Sequence, residues 1–165
     1  MTENELIDAC IQNNRFAQQT LYDRYKRAMY TFAYRLSGDF DKANDILQDA
    51  FLEVFKNMGS FRKEASLGAW IKTIVARKAY KQFKNVSFID YSENFNETAQ
   101  WDQTLDTEYI EKAILSLPDG FRTVFVMIEI EGFTHKEVGE LLGISEGTSK
   151  SQLFHAKKRL RDKLS

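Results

Sequence analysis

The residues with the clearest chemical potential lie at the end of the chain, in GISEGTSKSQLFHAKKRLRDKL. From Lys150 to Leu164 there are six Lys or Arg residues and a single acidic one, Asp162, although the whole chain has a net charge of only −1. Clustered cations bind phosphate groups, and polar side chains beside them can read base edges. The stretch therefore suggests nucleic-acid binding, but a basic helix on its own can also be a solvated surface.

The residues before this helix favour the first interpretation. The segment THKEVGELLG predicts a helix that ends at Gly143, because glycine often terminates helices. Ser145 is then a suitable N-cap for the basic helix. Gly139 supplies a small residue where the two helices would pack closely. A helix, a short turn and a longer helix form the helix-turn-helix arrangement, so we expect this region to bind DNA.

The last helix has two faces when its residues are placed at 100° per residue. One face can pack on the domain and carries Ser149, Leu153, Ala156, Leu160 and Leu164. The opposite face and its edge carry the DNA-contact candidates. Those in the first turns, where recognition helices read bases, are Lys150, Ser151, Phe154 and His155. Those further along, better placed for the DNA backbone, are Lys157, Lys158 and Arg161.

Charge is strongly segregated along the rest of the chain. Residues 61–84 contain seven basic and one acidic side chain, whereas residues 85–111 contain seven acidic and no basic ones. Helical periodicity is present on both sides of residues 85–106 but not within them. The sequence therefore predicts an all-α protein with two small helical domains, 1–84 and 107–165, joined by an acidic linker, 85–106.

Within the domains, the predicted helices cover residues 3–12, 15–36, 41–58 and 67–84, then a helix from Thr107 and another from Pro118 to Gly132. The second helix is predicted to bury one stripe made of Phe16, Leu21, Tyr25, Met29, Phe32 and Leu36. The fourth is predicted to bury Ile71, Ile74 and Val75. Trp70 fits either that core or a surface for base stacking.

Composition argues against several functional classes. One cysteine, Cys10, cannot form an internal disulfide, and the two histidines have no cluster of ligands in the sequence around them. We therefore expect no catalytic residue, no metal and no cofactor. No apolar run is long enough to cross a membrane. The acidic N-terminal segment lacks the layout of a signal peptide, so we expect a cytoplasmic protein.

Two blocks of the chain resemble a known family. The C-terminal domain of bacterial RNA polymerase sigma factors of the extracytoplasmic-function (ECF) group is similar to LSLPDGFRTVFVMIEIEGFTHKEVGELLGISEGTSKSQLFHAKKRLRDKL. The promoter-opening domain of the same family is similar to DKANDILQDAFLEVFKNMGSF and ASLGAWIKTIVARK. Both domains, in this order, are far more specific than a helix-turn-helix alone.

The resemblance implies a sigma factor that binds core RNA polymerase and promoter DNA. The basic C-terminal helix would then bind the −35 element. The −10 element would be contacted by Arg62, Lys63, Glu64, Ser66, Arg77, Lys78 and Lys81. The polymerase, through its clamp and flap, would be the protein partner, and the clamp would contact Asp45, Gln48, Asp49 and Glu53, which share one helix face. The family also implies an anti-sigma factor as a further partner.

Some residues depart from the family pattern. The family often has Val and Arg where this chain has Ser149 and Gln152, and we expect these differences to bear on promoter sequence. Two other functions stay open: a stand-alone dimeric helix-turn-helix regulator that binds operators without polymerase, and an adaptor that sequesters a protein partner. The second basic block, at 61–84, argues against both, because a simple repressor needs only one DNA-reading unit.

Overall fold

The structure, a computed structural model, describes residues 1–82, 88 and 106–165. Every regular element among these residues is helical, which confirms the predicted all-α fold class. The chain forms two compact units, Met1–Gln82 and Phe83–Ser165. The predicted linker, 85–106, lies outside the described residues except for Phe88 and Asp106, so its boundaries stay predictions.

The N-terminal unit consists of α1 (Glu3–Ile11), α2 (Arg15–Ser37), α3 (Phe40–Asn57) and α4 (Leu67–Gln82), with a 3₁₀ turn at Met58–Ser60. Side-chain caps begin the first three helices, because the first backbone N–H groups of a helix have no partner within it. The side chain of Thr2 accepts from the N–H of Glu5, that of Asn14 from Ala17, and that of Asp39 from Lys42.

The core of this unit is made by the inner faces of these helices. Leu21, Met29, Phe32 and Leu36 are buried as predicted, but Phe16 is 77% exposed. The five-residue step from Phe16 to Leu21 rotates the helix by about 140° beyond a full turn, which takes Phe16 off the buried stripe. Trp70 is half-buried, with its ring centroid 5.2 Å from that of Phe61, so it belongs to the edge of the core.

The C-terminal unit contains α5 (Thr107–Leu115), α6 (Asp119–Phe125), α7 (His135–Leu142) and α8 (Glu146–Leu164). The helix predicted from Pro118 to Gly132 exists, but it changes to a π-helical turn at Val126–Ile130. There the N–H of Glu131 donates to the carbonyl of Val126 at 3.0 Å, a spacing of five residues. Within this unit α8 packs against α5, α6 and α7.

The turn between α7 and α8 has the predicted helix-turn-helix chemistry. Gly143 has φ +68°, a left-handed conformation that residues with a Cβ rarely adopt, and its N–H donates to the carbonyl of Gly139. Ser145 Oγ accepts from the N–H of Thr148 at 3.0 Å, which begins α8. A Cβ on Gly139 would lie 2.7 Å from the carbonyl oxygen of Ile144, so glycine is required where the turn crosses α7.

Among the described residues, the buried polar side chains all belong to this second unit: Arg122, Thr123, Ser149, Ser151 and Gln152. Arg122 illustrates how they are accommodated. Its Nη1 donates to the carbonyl of Leu117 at 3.1 Å, and its Nη2 donates to Asp119 Oδ1 at 2.7 Å. Among the residues that the structure describes, no helix is long and apolar enough to cross a membrane.

Candidate functional site

The outer face of α8 carries most of the predicted DNA contacts. Lys150 and Lys158 are exposed, and Phe154, Lys157 and Arg161 are partly exposed. Their spacings of three and four residues place these side chains on one face of the helix. The cap at Ser145 and the packed inner residues Leu153, Ala156 and Leu160 fix the position of this face. It can attract phosphate groups through its cations, while Phe154 offers an apolar surface.

Two of the residues predicted to read bases are not on that face. Ser151 has no exposed surface, so it belongs to the packing of α8. His155 is partly buried, with its ring centroid 5.9 Å from that of Phe121 and 5.2 Å from that of Phe154, and its Nε2 atom is shielded from solvent. The burial of Ser151 contradicts its predicted contact with bases, because α8 has neighbours on more than one side. His155 keeps partial exposure, so its role stays a prediction.

A third predicted contact, Lys157, already has an acidic partner. Its Nζ lies 2.7 Å from Oε1 of Glu129 in the π-helical turn, and both side chains are about one-third exposed or less. Helical spacing could not predict this ion pair, because Glu129 and Lys157 are far apart in the chain. The cation is present on the predicted face, but its charge is locally balanced.

A histidine at the start of α7 contacts α8. His135 Nδ1 lies 2.7 Å from Oγ of Ser149, which joins the start of α7 to α8. Burial lowers the pKa of His135, the nearby Lys150 lowers it further, and Glu146 opposes that effect. The side chains of Ser149 and Gln152 are both fully buried. These two departures from the family pattern therefore belong to the packing of α8, and their bearing on promoter sequence stays a prediction.

The second candidate surface begins in the loop between the 3₁₀ turn and α4. Arg62, Lys63, Glu64 and Ser66 are all exposed there, as a DNA-contacting loop requires. Lys63 has φ +61°, which is uncommon and costly for a residue with a Cβ. Ser66 also has a structural task, because its Oγ accepts from the N–H of Ala69 at 3.1 Å at the start of α4.

The exposed face of α4 continues from this loop. Arg77 and Lys81 are exposed and four residues apart, and Trp70 lies on the same face because it is seven residues before Arg77. Lys78 points to the other side of the helix, where its Nζ lies 3.4 Å from Oε1 of Glu53 on α3. Lys78 is therefore separated from the other predicted −10 contacts, whereas Trp70 lies on their face of the helix.

The outer face of α3 carries the predicted polymerase contacts. Asp45, Gln48 and Asp49 are exposed, whereas Glu53 is half-buried in its ion pair with Lys78. Gln48 is oriented by Tyr22, because its Nε2 donates to the hydroxyl oxygen at 3.4 Å.

One residue of this face was not predicted. Leu52 is 70% exposed, three residues after Asp49 and four after Gln48. It lines a shallow groove of about 420 Å³ together with Asp49, Glu53, Lys56, Asn57 and Lys78. The signal was present in the sequence, because a leucine spaced in this way from polar residues falls on their face.

Two family models match this chain, one in each unit. The family model for sigma-70 region 2 matches residues 21–87, and the model for sigma-70 region 4 matches residues 107–160. Among curated proteins, the ECF RNA polymerase sigma factor EcfG of Rhodopseudomonas palustris is 30% identical over 139 residues, which cover 81% of this chain and 77% of that protein. The chain belongs to the ECF family of RNA polymerase sigma factors. Members of this family act in promoter-specific initiation of transcription.

Other ECF sigma factors give a consistent result. SigM of Mycobacterium tuberculosis is 27% identical, over 96% of this chain and 83% of its own. SigW of Bacillus subtilis is 28% identical, over 87% of each. Among solved structures, the sigma factor RpoE of Bartonella quintana in complex with the anti-sigma factor NepR is similar with a TM-score of 0.62 and 27% identity, over 88% of this chain and 95% of that one.

Proposed function

We propose that this chain binds core RNA polymerase, brings it to promoters by contacting their −35 and −10 elements, and assists the opening of the DNA. In this proposal residues 1–84 bind polymerase and the −10 element, residues 107–165 bind the −35 element, and the acidic segment 85–106 joins them. The observation that carries the proposal is that two separately folded units each present an exposed basic surface, while one of them also presents an acidic face.

For the −35 element, we propose that the contacts come from the outer face of α8: Lys150, Phe154, Lys158 and Arg161. Lys150 is near the N-terminal end of α8, where the side chains of a recognition helix reach base edges in the major groove. Lys158 and Arg161 follow one or more turns later and suit phosphate contacts. Lys157 is left out because Glu129 already holds it.

For the −10 element, we propose that the loop residues Arg62, Lys63 and Glu64 act together with Trp70, Arg77 and Lys81 of α4. An opened strand needs aromatic surfaces on which bases stack and cations that follow its backbone. The half-exposed ring of Trp70 beside Phe61 provides the first, and the exposed Arg77 and Lys81 provide the second. Unpaired bases also offer their edges to polar groups in the loop.

For the polymerase, we propose that the clamp binds the outer face of α3 through Asp45, Gln48, Asp49, Leu52 and Glu53, while the flap is reached by the C-terminal unit. The carboxylates supply steering and register toward a basic partner. The exposed Leu52 adds apolar area to this otherwise polar face.

We also propose that an anti-sigma factor controls this chain. The sigma factor RpoE of Bartonella quintana, which has a similar fold, was solved in complex with the anti-sigma factor NepR. An anti-sigma factor would act by covering the surfaces that polymerase needs.

The decisive experiment is transcription in vitro with core RNA polymerase freed of other sigma factors, on promoter fragments from the same genome, followed by sequencing of RNA 5′ ends. Discrete start sites that share two spaced upstream elements are the expected result. Lys150→Ala should reduce initiation at those sites, whereas Lys112→Ala, an exposed lysine on α5 of the same unit, should not. Tight binding to duplex operators without polymerase, and no initiation with it, would instead identify a stand-alone regulator.

The polymerase contact can be tested separately by titrating the chain with labelled core enzyme. Leu52→Ser should weaken binding by about tenfold, the size expected when an apolar side chain that an interface buries is removed. Phe16→Ser is the matched control, because Phe16 is equally exposed but lies on α2, outside the proposed face. Equal effects of the two substitutions would remove Leu52 from the interface.

A further inference from the structure

The ion pair between Glu129 and Lys157 joins two elements of the C-terminal unit. Glu129 belongs to the π-helical turn Val126–Ile130, and Lys157 to the outer face of α8. The atoms are 2.7 Å apart, and the side chains are 35% and 27% exposed, respectively. The exposed pair of Asp23 and Lys26 on α2, by comparison, has side chains about half exposed. The Glu129–Lys157 pair is thus the better shielded from water, and water screens it less.

The position of Glu129 depends on an unusual stretch of backbone. π-Helical turns are rare within helices and occur frequently at functional sites. Here the turn precedes α7 and places a carboxylate beside the cationic face of α8. An acidic group at this point opposes the attraction between α8 and phosphate groups, which a helix selected only for DNA affinity would not favour.

The ion pair between Glu129 and Lys157 affects how DNA binding by α8 depends on salt. Each cation that neutralises a phosphate releases condensed counterions, and the salt dependence of binding steepens by about 0.9 in log–log slope for each such contact with duplex DNA. A lysine whose ammonium is held by a carboxylate must lose that partner before it makes such a contact. Sequence-independent binding by α8 is therefore weaker than its number of cations predicts.

We infer that Glu129 limits the sequence-independent affinity of the −35-binding surface, because it holds Lys157 away from DNA phosphates and so lowers the affinity for DNA of any sequence. The inference rests on the proposed function, since it assumes that the outer face of α8 meets duplex DNA. A larger share of the binding free energy then comes from contacts that depend on sequence. The lower non-specific affinity also keeps the free chain from occupying DNA without polymerase.

The test measures binding of the full chain to a fluorescein-labelled duplex of mixed sequence by anisotropy, over a series of KCl concentrations. Glu129→Gln should steepen the log–log slope by about 0.9, which corresponds to about eightfold tighter binding at 0.1 M salt if the affinities converge at 1 M. The double variant Glu129→Gln/Lys157→Gln should lose that gain, because the released lysine is its source.

Two further variants calibrate the measurement. Glu108→Gln makes the same charge change and releases Lys112 from an exposed ion pair on α5. Because that pair lies on another helix, the slope should not change and the affinity should stay within about twofold of the parent chain. Lys150→Gln should reduce the slope by about 0.9, since Lys150 is an exposed member of the proposed surface. Hydrogen exchange of α7 and α8 checks that each variant is folded.

Several outcomes would overturn the inference. One is an unchanged slope in Glu129→Gln, and another is a gain that persists when Lys157 is also replaced, which would mean that Glu129 acts by simple repulsion. If Glu129→Gln does not fold, Glu129→Asp replaces it in the test, because the shorter side chain keeps the charge but does not reach Lys157 as well. An unchanged salt-dependence slope in Glu129→Asp would also contradict the inference. If Lys150→Gln also leaves the slope unchanged, the proposed DNA-binding face itself is wrong.

Discussion

The two units of this sigma factor differ in what they bury. The described core of the N-terminal unit is apolar, built from residues such as Leu21, Phe32, Ile46 and Ile71, whereas the C-terminal unit also buries Arg122, Ser149, Ser151 and Gln152. Apolar contacts are non-directional and tolerate small rearrangements. Buried hydrogen-bonding groups are directional and costly when they lose their partners.

This difference matches the surfaces that each unit must hold. The N-terminal unit presents its functional side chains on the outside of simply packed helices and on one loop. The C-terminal unit must fix α8 relative to α7, because a recognition helix has to meet the DNA groove in one orientation. Fixed contacts such as that between His135 and Ser149 serve this purpose.

Gly139→Ala should be the most damaging of these substitutions. The added Cβ would lie 2.7 Å from the carbonyl oxygen of Ile144, so the backbone of the turn must move, at a cost of about 3 kcal/mol. Alanine favours helix by roughly 1 kcal/mol over glycine, so the contact must outweigh that gain. Amide hydrogen exchange of α7 and α8 should show the loss. Gly59→Ala in the N-terminal unit, where nothing lies within 4 Å, should have little effect.

Arg122→Met should come next, with a loss of about 2 kcal/mol in the C-terminal unit. Methionine fills much of the same volume but leaves the carbonyls of Leu115 and Leu117 without the guanidinium donor. Asp119→Asn is the control, because that side chain is largely exposed and water can replace its role. Exchange rates in α5 and α6 measure both variants, and equal losses would contradict a special role for the buried arginine.

Much of this architecture was predictable from the sequence because local rules govern it. The limits of α7 and α8 followed from Gly143 and the cap at Ser145, and exposed faces on α3 and α4 followed from helical spacing. The failures arose where a helix has neighbours on more than one side or meets a residue distant in sequence. Ser151 is buried because α8 has several neighbours. Lys157 pairs with Glu129, and Lys78 pairs with Glu53, each on a different helical segment. Periodicity carries no information about such partners.

Ser149→Ala should have a moderate effect. It removes the hydroxyl that lies 2.7 Å from His135 Nδ1 and leaves a partly buried ring nitrogen without that partner, at a cost of about 1 kcal/mol. Thr31→Ala on α2 is a suitable comparison in the other unit, because its hydroxyl only donates to the carbonyl of Arg27 within the same helix. If both variants lost the same stability, the contact between α7 and α8 would be no more important than a local one.

The smallest expected effect is a pH dependence confined to the C-terminal unit. Burial lowers the pKa of His135, Lys150 and Lys157 act in the same direction, and Glu146 and Glu129 oppose them. The unfolded chain, with a histidine pKa of about 6.5, therefore binds a proton more readily than the folded one. Stability should thus be fully present above pH 7 and decline as the pH falls through about 6.5 toward the lower folded value.

Hydrogen exchange of α7 and α8 at pH 7.5 and 5.5, corrected for intrinsic rates, measures this decline. His135→Gln should abolish most of it, since glutamine does not titrate and its side chain can still donate to Ser149. The helices of the N-terminal unit contain no histidine and should change less over the same range. A decline that survives in His135→Gln would contradict the proposed role of His135 in this pH dependence.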